Sequence, residues 1–155
     1  MKRLAWLGVV VACADPSSPC GPRDAVVERV IDGDTIVLVG GQTIRYLLVD
    51  APEITDGHAD CFGDSAAQVN RDLVLGQRVS LAYDAVCADR FGRTLAYVSV
   101  DGTDVNRLLI ARGYACVLHI PPDGDARADE LAAVQAEAKA ARLGVWGACD
   151  PVPCR

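Results

Sequence analysis

The chain has 155 residues, 51% of them hydrophobic and 23% charged, which suits one globular domain able to bury its own core and argues against a multidomain assembly. Fifteen Lys and Arg against 21 Asp and Glu give a formal net charge of −6, so this is no polycationic nucleic-acid coat. The longest apolar run, residues 4–14, is shorter than the ~20 residues a membrane-spanning helix needs, which argues against an integral membrane protein.

Residues 1–12 open with Met-Lys-Arg and continue as a short apolar stretch ending in small residues, the pattern of a secretory signal peptide. Val10-Val11-Ala12-Cys13 also has the form of a bacterial lipobox, in which cleavage leaves Cys13 at the new terminus for lipid attachment. A general signal peptide cleaved a few residues later is the alternative. Residues 13–24 then read as the anchor site and a Pro- and Ser-rich tether, and the expected location is exported, either lipid-anchored to the cell envelope or secreted. Setting Cys13 aside turns seven cysteines into six: Cys20, Cys61, Cys87, Cys116, Cys149 and Cys154. Three disulfides in an oxidising compartment fit them, with connectivity open. Zinc is the weaker use, since no Cys-x-x-Cys occurs and neither His58 nor His119 has metal-like spacing to a cysteine.

From residue 25 the pattern predicts β-branched strands over 26–31, 35–39 and 43–49, separated by the Asp32-Gly33 and Gly40-Gly41 turns. A helix follows from an N-cap candidate at Asp64 to a stop at Gly76. Strands over 78–83 and 94–100 bracket a polar loop, and Asp104 caps a helix that runs to Arg112. An Ala-rich helix occupies 125–143, Val145-Trp146 can dock on the core, and 150–155 form a tail. No internal repeat is present. Five strands with one helix after the third suit a closed OB-type barrel, mainly β with appended helices, over residues 25–149.

Acids and arginines concentrate at strand ends: Asp32-Gly33-Asp34-Thr35, Arg45, Asp50-Ala51-Pro52-Glu53 and Asp89-Arg90-Phe91-Gly92-Arg93. Taken singly, each segment also reads as an ordinary turn or strand flank. Arg45 lies in the apolar run Ile44-Arg45-Tyr46-Leu47-Leu48-Val49, and a buried Arg needs an anionic partner. That partner is either internal, Asp50 or Glu53, or an oxyanion of a ligand. Carboxylates that hold a divalent cation and orient water, with guanidiniums that neutralise phosphoryl oxygens, are the groups that phosphodiester hydrolysis needs.

Together Val30-Ile-Asp-Gly-Asp-Thr35, Arg45-Tyr-Leu-Leu-Val-Asp-Ala-Pro-Glu53, Asp89-Arg-Phe-Gly-Arg93-Thr-Leu-Ala-Tyr97, Asp104-Val-Asn106 and Gly144-Val-Trp146 resemble, in order, the staphylococcal nuclease (thermonuclease) family. The resemblance covers roughly residues 25–146 and implies a Ca2+-dependent endonuclease that leaves 3′-phosphate ends. It places Asp34, Asp50 and the main-chain carbonyl of Ala51 at the metal positions, where the family usually has Thr in place of Ala51. It places Glu53 at the position that orients or deprotonates water, and Arg45 and Arg93 at those of the two transition-state arginines. The implied substrate is single-stranded or melted DNA and RNA, and the implied state a monomer with membrane contact only through a lipid anchor. Two substrate-side tyrosines of the family's best-known member are replaced here by His119, a possible substrate contact, and Pro121. The acidic balance predicts weaker, less salt-dependent binding. The rival readings are a catalytically idle OB-fold binding module and a lipid-anchored structural protein whose acids only cap turns.

Overall fold

The computed structural model of the chain describes residues 18–55 and 57–154, so the signal-peptide and Cys13 readings lie outside it. In chain order the elements are β1 (Asp24–Val30), β2 (Thr35–Leu38), β3 (Thr43–Tyr46), β4 (Leu48–Asp50), β5 (Ile54–Thr55), β6 (His58–Ala59) and α1 (Gly63–Val74). They continue as β7 (Arg78–Ala82), β8 (Thr94–Val100), β9 (Thr103–Asp104), α2 (Val105–Ala111), β10 (Cys116–Leu118), α3 (Ala128–Ala140) and α4 (Val145–Ala148).

Strands β1, β2 and β3 form an antiparallel meander, and β7 and β8 pair antiparallel on the other side of β1. The parallel pairing of β3 with β8 closes the ring, giving the five-stranded OB-type barrel expected from the sequence. Closure removes the exposed sheet edges that a flat sheet of this size would leave. Alternation along β8, with Thr94, Ala96, Val98 and Val100 buried and the residues between them partly exposed, turns one face inward. Ile36, Ile44, Val79 and Val98 fill the interior at no more than 1% exposure. Helix α1 lies beside it: the Tyr46 hydroxyl donates to Asn70 Oδ1 at 2.8 Å, and Asn70 Nδ2 donates to the Asp32 carbonyl at 2.9 Å.

The third strand departs from expectation. The run 43–49 breaks after Tyr46, and Leu48 takes a left-handed φ of 60°. The cause is tertiary: buried Asn106 accepts from Val98 N at 2.9 Å and donates to the Leu47 carbonyl at 2.8 Å, anchoring the kink to β8. Beyond it, β4 leaves the barrel and pairs with β10, with Asp50 opposite Cys116.

Helix boundaries also shift. Asp64 is not the N-cap of the first helix: Phe62, at φ 71°, holds that position, and Asp64 falls in the first turn, where its charge complements the helix dipole. The Ala-rich helix begins at Ala128 rather than residue 125. Asp104 does cap α2, accepting from Arg107 N at 3.0 Å. Residues 18–24, read as the end of a tether, lie against the barrel: Leu81 N donates to the Arg23 carbonyl at 2.7 Å and the Tyr83 hydroxyl to that of Pro22 at 2.6 Å. Three disulfides, Cys20–Cys87, Cys61–Cys149 and Cys116–Cys154, complete the domain. No helix among the described residues is long and apolar enough to cross a membrane.

Candidate active site

A cleft of about 570 Å³ opens where β3, β4 and the loop before β8 converge, and Arg45, Asp50, Glu53 and Arg93 all line it. Two registers account for this. The β2–β3 pairing sets Thr35 opposite Arg45, which brings the preceding Asp34 to the guanidinium. The β3–β8 pairing sets Arg45 opposite Leu95, so Arg93 arrives two residues upstream of the same point.

Arg45 is 9% exposed and held on several sides. Its Nε lies 3.1 Å from Asp34 Oδ1 and its Nη2 3.4 Å from Asp50 Oδ1. Nη1 donates to the Tyr46 carbonyl at 2.9 Å and to that of Val49. The internal ion pair foreseen for this residue therefore exists, through Asp50 and, in addition, Asp34. The guanidinium still borders the cleft, so pairing and ligand contact are compatible.

Asp34 lies behind Arg45 and is 4% exposed. One of its oxygens accepts from the Thr35 hydroxyl at 3.0 Å, the other from Ala51 N at 2.6 Å. Burial pushes the Asp34 carboxyl up to about 7, against the attraction of Arg45 and with help from the charge of Asp32. Two buried carboxylates thus flank one guanidinium. An all-oxygen donor set that includes two carboxylates fits a hard divalent cation. Among the described residues no three His, Cys, Asp or Glu side chains gather as a metal cage, so an ion at Asp34 and Asp50 would draw further ligands from main chain, water or substrate. Ala51, buried and bonded through its N–H to Asp34, has its main chain at this point.

Glu53 follows β4 and is fixed through its backbone: Asp60 N donates to its carbonyl at 2.9 Å, and its own N–H donates to Asp60 Oδ2 at 3.4 Å. Arg93 is fixed by Asp89, which had no assigned role in the sequence reading. Asp89 Oδ2 accepts from Arg93 Nε at 2.7 Å, while Oδ1 accepts from the N–H groups of Phe91 at 2.9 Å and Arg93 at 3.0 Å. Its signal was available: Asp followed by Gly three residues later and Arg four residues later is the pattern of a side-chain-capped turn. Asp123 went unnoticed as well; it lines the cleft, is 7% exposed, and accepts from Val86 N at 2.8 Å.

His119 does not line the cleft, whereas Pro121 does. The His119 ring lies with Nε2 2.7 Å from Asp125 Oδ1. Exposed Val86, Phe91 and Ile120 are apolar side chains lining the cleft, and the Arg90 and Arg93 guanidiniums sit 4.7 and 5.4 Å from the Phe91 ring centre.

Residues 43–148 match the SNase family, described as "Staphylococcal nuclease homologue". Endonuclease YncB of Bacillus subtilis (strain 168) is 37% identical over 130 residues, 79% of this chain and 61% of the relative. SPbeta prophage-derived endonuclease YokF of the same organism is 36% identical over 130 residues, 79% of this chain and 44% of the relative. The chain thus spans less than two thirds of the length of these two proteins. Thermonuclease of Staphylococcus intermedius is 35% identical over 126 residues, 78% of this chain and 74% of the relative. With the barrel, the cleft and these matches in hand, the chain belongs to the staphylococcal nuclease family.

Proposed function

We propose that the chain is a metal-dependent endonuclease that hydrolyses phosphodiesters of DNA or RNA, with Ca2+ as its ion. The observation that carries this reading is the convergence of Arg45, Asp50, Glu53 and Arg93 on one cleft, with Asp34 behind it. Relatives named endonuclease and thermonuclease support it.

Asp34, Asp50 and the Ala51 carbonyl would hold the cation, which supplies positive charge to the scissile phosphate and acidifies a bound water. Glu53 receives or orients the proton of the attacking water. Arg45 and Arg93 donate hydrogen bonds to the phosphoryl oxygens and stabilise the charge that gathers there as the bond to the 5′ oxygen breaks, leaving a 3′-phosphate. Arg45 arrives pre-oriented by Asp34 and Asp50, so little reorganisation is needed at the moment of reaction.

The substrate in this reading is single-stranded or melted, because a phosphodiester must enter the cleft to meet a guanidinium that is 9% exposed. One chain supplies every side chain of the site, in keeping with a monomer. Three disulfides support export to an oxidising compartment, with Cys13 as the lipid-attachment point. The test is incubation with single-stranded DNA and RNA in Ca2+ or excess chelator, with Arg93→Ala as control and analysis of product ends. Ca2+-dependent cleavage leaving 3′-phosphates, reduced about 10²-fold or more by Arg93→Ala, is expected. A folded, oxidised protein that cleaves neither substrate refutes the reading and favours a binding module.

A further inference from the structure

We propose that the Cys20–Cys87 disulfide is a positioning element for Arg93, so that opening it lowers turnover more than it disturbs substrate binding. The inference rests on the nuclease reading for its kinetic consequence and on geometry for its physical content.

The segment that carries Arg93 is held on one side by Thr94, which opens β8 opposite Ile44, and further back by Val86, whose N–H donates to Asp123 Oδ1 at 2.8 Å. Residues 85–88 and 90–92 are all exposed, so the loop buries almost no apolar surface, and its internal order comes from Asp89 and short backbone bonds. Those bonds tie the loop mainly to itself. Asp89 N donates to the Arg93 carbonyl at 3.0 Å and Gly92 N to the Asp89 carbonyl at 3.0 Å, which closes a tight turn whose carboxyl-terminal side joins β8. A small, exposed turn of this kind opens at low free-energy cost.

Cys87 adds a covalent anchor on the amino-terminal side of the turn. Its carbonyl accepts from Leu95 N at 3.0 Å, and the next residue, Ala88, bridges to Thr94, so Cys87 lies across from the two residues that follow Arg93. Its sulfur is bonded to Cys20, on the stretch packed against the barrel wall. One side chain couples the same parts a second time: Gln42 Nε2 donates to Thr94 Oγ1 at 2.9 Å and reaches the Cys20 carbonyl at 3.5 Å. The covalent bond therefore ties the turn bearing Arg93 to the barrel through Cys20 and Cys87, neither of which lines the cleft. A misplacement of about 1 Å in such a group costs on the order of 10²-fold in rate.

The experiment removes both sulfurs together, Cys20→Ser with Cys87→Ser, in the oxidised chain, with and without Arg93→Ala. The readouts are kcat and KM on a single-stranded oligonucleotide and hydrogen exchange at the amides of Asp89, Phe91, Gly92, Arg93 and Leu95. Exchange at these amides is expected to accelerate, kcat to fall about 10- to 100-fold with a smaller change in KM, and Arg93→Ala to cost far less in the opened background than in the parent. The pair Cys61→Ser with Cys149→Ser should leave exchange in this loop unchanged. Unaltered exchange and kcat in the opened protein, with Arg93→Ala equally costly in both backgrounds, overturn the proposal. Should the paired variant fail to fold, a phosphine reductant applied to the folded parent, with alkylation at Cys87 followed by mass, gives the same decision from turnover against fraction opened. If the parent cleaves nothing, the nuclease reading fails, and the exchange measurement still decides whether the disulfide holds the loop.

Discussion

Asn106→Ala tests the joint on which the site depends. Asn106 is fully buried, and its side chain satisfies two backbone groups, Val98 N at 2.9 Å and the Leu47 carbonyl at 2.8 Å. Truncation leaves a donor and an acceptor unpaired in the core, at about 1–3 kcal/mol each, so about 2–6 kcal/mol in all. For a domain of this size each kcal/mol moves Tm by about 2–4 °C, which gives a fall of roughly 4–24 °C. Asn106→Asp should be nearly as costly, because it keeps the acceptor for Val98 but sets a carboxylate oxygen against the Leu47 carbonyl. The assay is calorimetric unfolding of the oxidised protein, paired with activity measured well below Tm. Since the kink at Leu48 separates Arg45 from Asp50, turnover should fall even where the variant is fully folded. A Tm within about 2 °C of the parent, against the expected range, would show that Asn106 does not hold the kink.

Two further outcomes follow from local geometry. At Gly33 a Cβ would lie 2.6 Å from that of Ala51 and 2.8 Å from that of Ala66, so Gly33→Ala should cost about 1–3 kcal/mol and lower activity by displacing the main chain at Ala51; unchanged melting and turnover would contradict the packing described. Burial alone would raise the Asp89 carboxyl, but the Arg93 guanidinium and the N–H groups of Arg93 and Phe91 outweigh it and hold it below its ordinary value. A carboxyl lowered by folding stabilises the protein fully above its unfolded pKa, about 4, and that stabilisation disappears as pH falls through the lower folded value. Asp89→Asn should therefore lower Tm near neutrality and flatten the Tm profile below about pH 4; a parallel profile in variant and parent would disprove the assignment.

The barrel was legible in the chain because its five strands carry β-branched runs broken by Gly-containing turns, and that pattern depends only on local sequence. The break at Leu48 was not. Tyr46-Leu47-Leu48-Val49 is uniformly apolar, and what bends it is Asn106, 58 residues later than Leu48, acting through the Leu47 carbonyl. Arg45 shows an intermediate case. Its burial demanded an acid, and Asp50 is one of the two that the sequence offers, but Asp34 follows from the register that sets Thr35 opposite Arg45, which strand patterns do not specify. Likewise six cysteines announced disulfides, while their pairing depends on which loops the closed barrel brings together.

The parallel pairing of β3 with β8 has a bearing on when the chain becomes chemically competent. Asp34 to Glu53 leave the ribosome early, yet Arg45 meets strand β8 only after Thr94 to Ala96 have been made, about a third of the chain later. Ring closure over so long a separation is a late, loop-entropy-limited event in folding. A nascent or truncated chain therefore carries the acids without the second arginine and without the cleft. In the nuclease reading, the messenger that encodes this protein and the cell that makes it are spared until synthesis of the domain is well advanced.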